Sequence, residues 1–147
     1  MDAIDSNILR HLQRDGRVTN LQLAEHVGLS PSACLRRVQA LEAAGVIKGY
    51  RAILDRTRLG GGLTVFVMVG LAGQLQRDAL AFERAMADAP EVLECHNITG
   101  SVEYLLRVEV ADLAAYKHFH SDVLGTLSQV SSITSHVCLV SSKDLRD

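Results

Sequence analysis

The sequence predicts an α+β protein built from a helical N-terminal domain and a C-terminal domain that alternates strands and helices. Apolar residues recur at helical spacing through residues 4–41, whereas long runs rich in β-branched residues begin at residue 63. Between the two patterns lies a segment, residues 55–62, that is polar and then glycine-rich, as linkers are. We therefore expect two domains, residues 1–60 and residues 61–147.

Three short helices are predicted in the first domain. The first spans about residues 2–15, with Asp2 as its N-terminal cap and Gly16 suited to the left-handed position after its end. The second follows Thr19, which starts a capping box, and it stops at Gly28. Each helix therefore carries its own start and stop signal.

The third predicted helix begins at Ser30-Pro31 and ends at Gly45. The serine can accept hydrogen bonds from the first free N–H groups, and proline suits a helical position at which no N–H is needed. The residues expected to point inward are Leu35, Val38 and Leu41, with Cys34 beside them. The outer side of the helix is then polar and basic.

Two short helices joined by a tight glycine-containing turn are typical of a helix-turn-helix, and the major groove of B-DNA admits one such helix. Residues 46–54 form an apolar, β-branched stretch broken by a basic glycine-containing segment, as at the end of a winged helix. Small residues at the start of the third helix allow close approach to DNA, and arginines bind guanine or phosphate. The candidate DNA-binding residues are Ser30, Ser32, Ala33, Arg36, Arg37, Gln39, Lys48 and Arg51. A plain three-helix subdomain with a solvated basic face fits the same pattern.

Charge divides unevenly between the two domains. Residues 1–60 carry nine basic and six acidic residues, whereas residues 61–147 carry six basic and eleven acidic residues. This asymmetry favours contact of the first domain alone with a polyanion.

The second domain shows the order βαββαβ, which predicts a ferredoxin-like sandwich. The predicted strands cover residues 63–71, 92–99, 102–110 and 130–140, and the intervening helices carry Phe82 and Tyr116 on their apolar faces. Two helices on one side of the sheet leave the other side uncovered. We expect a homodimer to form through that uncovered face.

Several other classes of protein are disfavoured. The three cysteines are odd in number and widely spaced, which argues against a disulfide framework and for a reducing cytoplasm. No Cys or His pair has zinc-site spacing, so we expect no metal and no cofactor. The most apolar run, residues 63–72, is about half the ~20 residues that a membrane span needs. No nucleophile–base pair is identifiable, so we expect no enzyme.

The segments LAEHVGLS (residues 23–30) and GVIKGY (residues 45–50), with Arg37-Val38 and Leu41-Glu42 between them, resemble the Lrp/AsnC (leucine-responsive regulator/asparagine regulator, "feast-famine") family of transcription regulators. The resemblance continues into the C-terminal half. It implies double-stranded DNA and an amino-acid effector as partners, and homodimers that assemble further, for example into an octamer.

Within that resemblance, ITGSVEYLL (residues 98–106) is similar to the family segment around the effector site. N–H groups in the glycine turn suit the carboxylate of an amino acid, and Glu103 suits its ammonium. Acidic residues are common in the family at the positions of Ser101 and Glu103, the second usually being Asp, so the chain departs from the pattern there. The candidate effector residues are Gly100, Ser101, Val102, Glu103 and Tyr104, with Ser132, Thr134 and His136 on the opposite wall. A plain β-turn between two strands fits the Gly-Ser pair equally.

The sequence thus predicts a DNA-binding transcription regulator whose DNA binding or assembly responds to a small molecule. Two alternatives stay open: an architectural DNA-binding protein of the same fold without an effector, and a small metabolic enzyme built on the ferredoxin-like domain. The identity of the effector and the choice between repression and activation are not encoded in any motif.

Overall fold

The computed structural model describes residues 1–55, 58–59, 62–73 and 75–144. The chain divides into two compact units, Met1–Ile53 and Leu54–Asp147. Gly60 and Gly61, where the sequence predicts the domain boundary, lie outside the described residues, as does part of the predicted linker.

The first unit contains three helices: α1 (Ala3–Arg14), α2 (Asn20–Val27) and α3 (Pro31–Ala43). Each helix begins directly after the residue that was predicted to cap it. Asp2 and Thr19 each form a reciprocal capping box, and the Ser30 hydroxyl accepts a hydrogen bond from the Ala33 N–H. Gly28, at φ 70°, ends α2 in the left-handed conformation, so the turn into α3 is the tight glycine turn of a helix-turn-helix.

The core of this unit is small and drawn from all three helices. Its buried residues are Ile8, Leu23, Ala24, Cys34 and Leu41. The prediction that Leu35 points inward is wrong, because its side chain is 46% exposed. Helical geometry places Cys34, Val38 and Leu41 on one face, and Leu35 lies one step, about 100°, away from that face.

The stretch after α3 forms no strand anywhere in residues 46–55. Gly49, at φ 155°, interrupts the apolar run, and a strand needs a partner for its backbone groups. The stretch is nevertheless fastened to the helices, because the Tyr50 hydroxyl donates to Glu42 Oε1 at 2.9 Å. Residues 46–55, where the sequence predicts the end of a winged helix, therefore form an irregular segment.

The second unit is a four-stranded antiparallel sheet with two helices on one face. Its elements, in chain order, are β1 (Leu63–Leu71), α4 (Gln76–Asp88), β2 (Val92–Asn97), β3 (Tyr104–Val110), α5 (Leu113–His118) and β4 (Val130–Val137). After α5 the chain continues through a π-helical turn (Phe119–Val123) and a 3-10 turn (Leu124–Thr126). The strand order β2-β3-β1-β4 confirms the predicted ferredoxin-like topology.

Alternation along the strands separates two faces of this sheet. The valines at positions 65, 67 and 69 of β1 pack with Leu106 and Val108 of β3 against Phe82 of α4 and Phe119 of the π-helical turn. On the opposite face, which we call the open face, Phe66, Met68 and Leu105 are half-buried. The open face is only partly apolar, because the buried Arg107 also lies on it.

Arg107 lies among carboxylates on the open face. Its guanidinium is 2.9 Å from Asp144 Oδ2, 3.0 Å from Glu109 Oε1 and 3.8 Å from Glu94 Oε1. Asp144 belongs to the segment after β4, so this ion pair holds the C-terminal segment across the face. Arg107 is the one charged residue classed as buried in the described part of the chain.

Candidate nucleic-acid interface and ligand site

The start of α3 presents a small polar tip. Ser30 and Ser32 are exposed, and their hydroxyl oxygens lie 3.3 Å apart. Ala33, half-buried behind them, adds no bulk. The first N–H groups of α3 point out at the same end, where a helix favours an anion. The tip is therefore narrow and able to hydrogen-bond.

Behind this tip, the outer side of α3 carries Arg36 and Gln39, both exposed. Arg36 makes no ion pair with any residue that the structure describes, so its five N–H donors face solvent. Lys48 and Arg51, in the irregular stretch after α3, are exposed as well. These four side chains are free to meet a polyanion.

Arg37 differs from its neighbour. Its Nη1 lies 2.8 Å from Asp2 Oδ2 and 2.7 Å from Asp5 Oδ1, and its side chain is only 31% exposed. The other oxygens of these two carboxylates accept the backbone N–H groups of the α1 capping box. Arg37 was predicted to contact DNA. In the structure its guanidinium has a structural role, because it holds α3 against the start of α1.

This arrangement shifts the pKa values of the charged groups that form it. The backbone N–H of Asp5, and then the Arg37 guanidinium, lower the pKa of the Asp2 carboxyl below its usual 3.8. The hydrogen bonds to Asp5 and Asp2 raise the pKa of Arg37. Both shifts favour the charged pair.

In the second unit, the predicted effector turn joins β2 to β3. The Ile98 N–H donates to the Glu103 carbonyl at 2.8 Å, which closes the hairpin earlier than predicted and leaves residues 99–102 as a loop. Gly100, at φ 129°, requires glycine in that loop. Gly100 and Ser101 are exposed, whereas Val102 is half-buried.

The Glu103 side chain reaches the end of β1. Its Oε2 accepts a hydrogen bond from the Leu71 N–H at 2.7 Å, where the register of β1 shifts between Gly70 and Leu71. The carboxylate is half-buried, and Oε1 has no hydrogen-bond donor among the described residues. One oxygen thus accepts a hydrogen bond within the fold, and the other accepts none from the described residues.

Gly70 has no Cβ, which leaves space beside β1 for the side chains of Glu103 and Ser132. It pairs with Ser132, and a Cβ on Gly70 would collide with the Ser132 hydroxyl and lie 3.7 Å from Glu103 Oε2. Glu103 and Ser132 therefore both flank Gly70, a glycine that sequence reasoning missed. An isolated glycine inside a β-branched strand was the signal, since it marks a close approach.

Tyr104 does not belong to this wall. Its side chain is 1% exposed, its ring packs 4.7 Å from that of Phe82, and its hydroxyl donates to Glu83 Oε1 at 2.7 Å. Burial and the Glu83 carboxylate raise the pKa of Tyr104 to about 12. Successive strand residues point to opposite faces, so placing both Glu103 and Tyr104 in the ligand wall was wrong.

The three candidates on β4 are spread along the strand. Ser132, Thr134 and His136 are exposed and pair with Gly70, Met68 and Phe66 of β1. Since a strand advances roughly 7 Å for every two residues, Thr134 and His136 lie progressively farther from Glu103. Only Ser132 shares its location.

An open groove of about 290 Å³ adjoins Ser132. Leu124 and Leu127, after the π-helical turn, line it together with Ile133 of β4, and Ser131 and Ser132 lie at its margin. Nothing in the sequence pattern indicated this groove.

In the described part of the chain, no group of three or more His, Cys, Asp or Glu side chains is placed to hold a metal ion. No helix in that part combines the length and the apolar character needed to cross a membrane.

An exposed helix-turn-helix joined to a ferredoxin-like unit is the arrangement of a class, the DNA-binding regulators with a ligand-binding domain. Residues 1–48 match the winged helix-turn-helix DNA-binding domain, and residues 64–147 match the Lrp/AsnC ligand binding domain. The chain belongs to the Lrp/AsnC family of transcription regulators.

Individual relatives agree with this assignment. The chain is 42% identical over 144 residues to the leucine-responsive regulatory protein of Rhizobium meliloti, covering 98% of this chain and 92% of the relative. It is 45% identical over 141 residues to the Bkd operon transcriptional regulator of Pseudomonas aeruginosa, covering 96% and 92%.

Solved structures agree as well. A transcriptional regulator from Neisseria meningitidis in complex with L-Met superposes with a TM-score of 0.94 at 37% identity, over 98% of this chain and 93% of that one. An AsnC family regulator from Agrobacterium tumefaciens superposes with a TM-score of 0.93 at 35% identity, over 98% and 94%.

Proposed function

We propose that this regulator binds DNA through the start and outer side of α3, and that an amino acid modulates its DNA binding or its assembly. The observation that carries the first part is the exposed, cationic outer side of α3 behind a narrow polar tip. Arg36 is placed to bind guanine or phosphate, with Gln39 beside it, and Ser30 and Ser32 are placed to approach base edges. Lys48 and Arg51 then supply phosphate contacts.

Arg37 takes a different part in this proposal. Because two carboxylates already hold its guanidinium, it orients α3 and leaves base contact to Arg36. A brace of this kind supports recognition by keeping the contacting residues in a fixed position.

For the effector, we propose that the ammonium of an amino acid binds Glu103 Oε1. Its carboxylate then meets the N–H groups of the loop at Gly100 and the hydroxyl of Ser132. The L-Met complex of the Neisseria relative supports an amino acid as the ligand class. The effector acts only as far as it prefers one geometry of the assembly to another.

We further propose a homodimer through the open face of the sheet, with assembly of dimers into a higher oligomer such as an octamer. The half-buried Phe66, Met68 and Leu105 are the apolar centre of that face. A dimer presents two copies of α3 to two half-sites about one helical turn of DNA, or a multiple of it, apart. Sedimentation velocity measures the oligomeric state. A monomer at micromolar concentration contradicts the proposed homodimer. We expect no enzymatic turnover, and a cytoplasmic location that follows from DNA as the partner.

The DNA proposal is tested by selecting duplexes from a random-sequence pool and measuring affinity by mobility shift. Arg36→Ala should weaken binding to the selected duplex by at least about fivefold. Arg84→Ala is the matched control, since Arg84 is an exposed arginine on α4 in the other unit. Equal affinities for wild type and Arg36→Ala overturn the assignment of Arg36.

The effector proposal is tested by thermal unfolding with each of the twenty amino acids, because a specific ligand raises the melting temperature. A shift with one or a few amino acids supports the proposal. No shift with any of them, while the selected duplex still binds, favours the architectural alternative.

A further inference from the structure

A single hydrogen bond ties the start of α2 to the start of α3. Asn20 is the first residue of α2, and its Nδ2 donates to the Pro31 carbonyl at 2.8 Å. Pro31 is the first residue of α3 and lies eleven positions along the chain. We propose that Asn20 is a positioning residue for DNA recognition: it holds the start of α3 so that Ser30, Ser32 and Arg36 meet their base pairs. This inference rests on the proposed function.

The side chain of Asn20 is not needed by its own helix. Thr19 and Gln22 already cap α2, because the Thr19 hydroxyl accepts from the Gln22 N–H and Gln22 Oε1 accepts from the Thr19 N–H. Asparagine is also a poor helix former compared with alanine. Its presence at this position is therefore explained by the bond to Pro31 and not by the stability of α2.

The other contacts that join these two helices are of a different kind. Leu23 and Ala24 of α2 and Cys34 of α3 are buried together in the core. Apolar contacts of this sort have no directional preference, so they allow small rotations and slides of one helix on another. A hydrogen bond to a fixed carbonyl is directional, and base recognition requires side chains placed to within roughly 0.5 Å.

The place where this bond acts matters as much as its direction. Pro31 lies between Ser30 and Ser32, the two exposed residues of the α3 tip. Holding the Pro31 carbonyl therefore holds the segment of α3 that enters the groove first in a helix-turn-helix complex. A shift at this end displaces every contact that follows along α3.

The test compares full-length wild type, Asn20→Ala and the control Gln22→Ala. Gln22→Ala also removes hydrogen bonds from the start of α2, but none that reaches α3. The probes are the duplex of highest affinity that wild type selects from a random pool, and the unselected pool itself. Affinity for both is measured over a range of salt concentrations, and circular dichroism verifies that each variant is folded.

We expect Asn20→Ala to bind the selected duplex about five- to tenfold more weakly, with unchanged affinity for the random pool and an unchanged salt dependence. Gln22→Ala should keep the wild-type ratio between the two probes even where its melting temperature falls. Alanine is a favourable helix former, so Asn20→Ala should retain α2.

Two results overturn the inference and leave the proposed function standing. If Asn20 instead contacts a phosphate, Asn20→Ala weakens binding to both probes equally and makes the salt dependence shallower. If Asn20→Ala keeps the wild-type preference for the selected duplex, the residue positions nothing. A wild-type chain that selects no sequence at all overturns the proposed function itself, and the inference with it.

Discussion

The carboxylate of Glu103 accepts a hydrogen bond from the N–H of Leu71, which ties the hairpin before β3 to the end of β1. The same oxygen lies beside Gly70, 3.7 Å from where a Cβ on that residue would be. A residue predicted as a ligand group therefore also has a structural role.

Filling the space at Gly70 should abolish the effector response. In Gly70→Ala the added Cβ collides with the Ser132 hydroxyl, so the Ser132 side chain or β4 must shift. We expect a loss of about 1–3 kcal/mol in the free energy of unfolding and no thermal shift with L-methionine or with the amino acids that stabilise wild type. DNA affinity without effector should be retained. Gly73→Ala is the control, since a Cβ there meets only Asp78 at an ordinary 3.8 Å; an intact response in Gly70→Ala contradicts the site.

Substitutions at the neighbouring residues Glu103 and Tyr104 should have opposite effects on the thermal shift produced by an amino acid. Glu103→Gln keeps the shape of the side chain and removes the charge that an ammonium needs, so the thermal shift should be lost. Tyr104→Phe removes the hydroxyl bonded to Glu83 on the other face and should leave the response intact, at a cost of about 1 kcal/mol in stability.

The pKa of Tyr104 supplies an independent check on that variant. The folded protein holds the tyrosine protonated up to about 12, above its usual 10, so this stabilisation is complete below pH 10 and is lost between pH 10 and about 12. Urea unfolding over that range should show a loss of stability in wild type that is smaller in Tyr104→Phe. Equal curves for the two proteins count against burial of the hydroxyl.

The brace at Arg37 should make the first unit sensitive to acid. The lowered pKa of Asp2 means that its contribution to stability is present above pH 3.8 and is lost as the pH falls through the lower folded value. Asp2→Asn should therefore unfold more easily than wild type at neutral pH, and the difference should shrink below pH 3.8. Circular dichroism during acid titration measures it, with exposed Asp88→Asn on α4 as the control.

Removing Arg107 should destabilise the second unit more than any surface change. Arg107→Ala removes the guanidinium that contacts the carboxylates of Glu109 and Asp144, each 10% exposed. The expected loss is about 3–5 kcal/mol in urea unfolding, because removing one member of a buried ion-pair cluster is costly. A loss under about 1 kcal/mol would show that these groups are solvated in solution.

Local signals in the sequence were sufficient for the helix boundaries and the strand order. Asp2, Thr19 and Ser30 cap the helices that they were predicted to cap, because a cap involves only residues within one turn. The period of two along β3 likewise placed its strand. The prediction for Leu35 failed because helical phase depends on packing neighbours that a local pattern does not contain.

The sequence by itself determined the class of this protein: two domains, a helix-turn-helix, a βαββαβ order and the motifs of the Lrp/AsnC family. Only the tertiary structure decided which distant groups meet. Arg37 binds Asp2 across 35 positions, and Glu103 binds the Leu71 N–H across 32. Caps and periodicity arise from interactions within a few residues, whereas these pairs depend on strand register and helix packing, which are settled only when the whole core assembles.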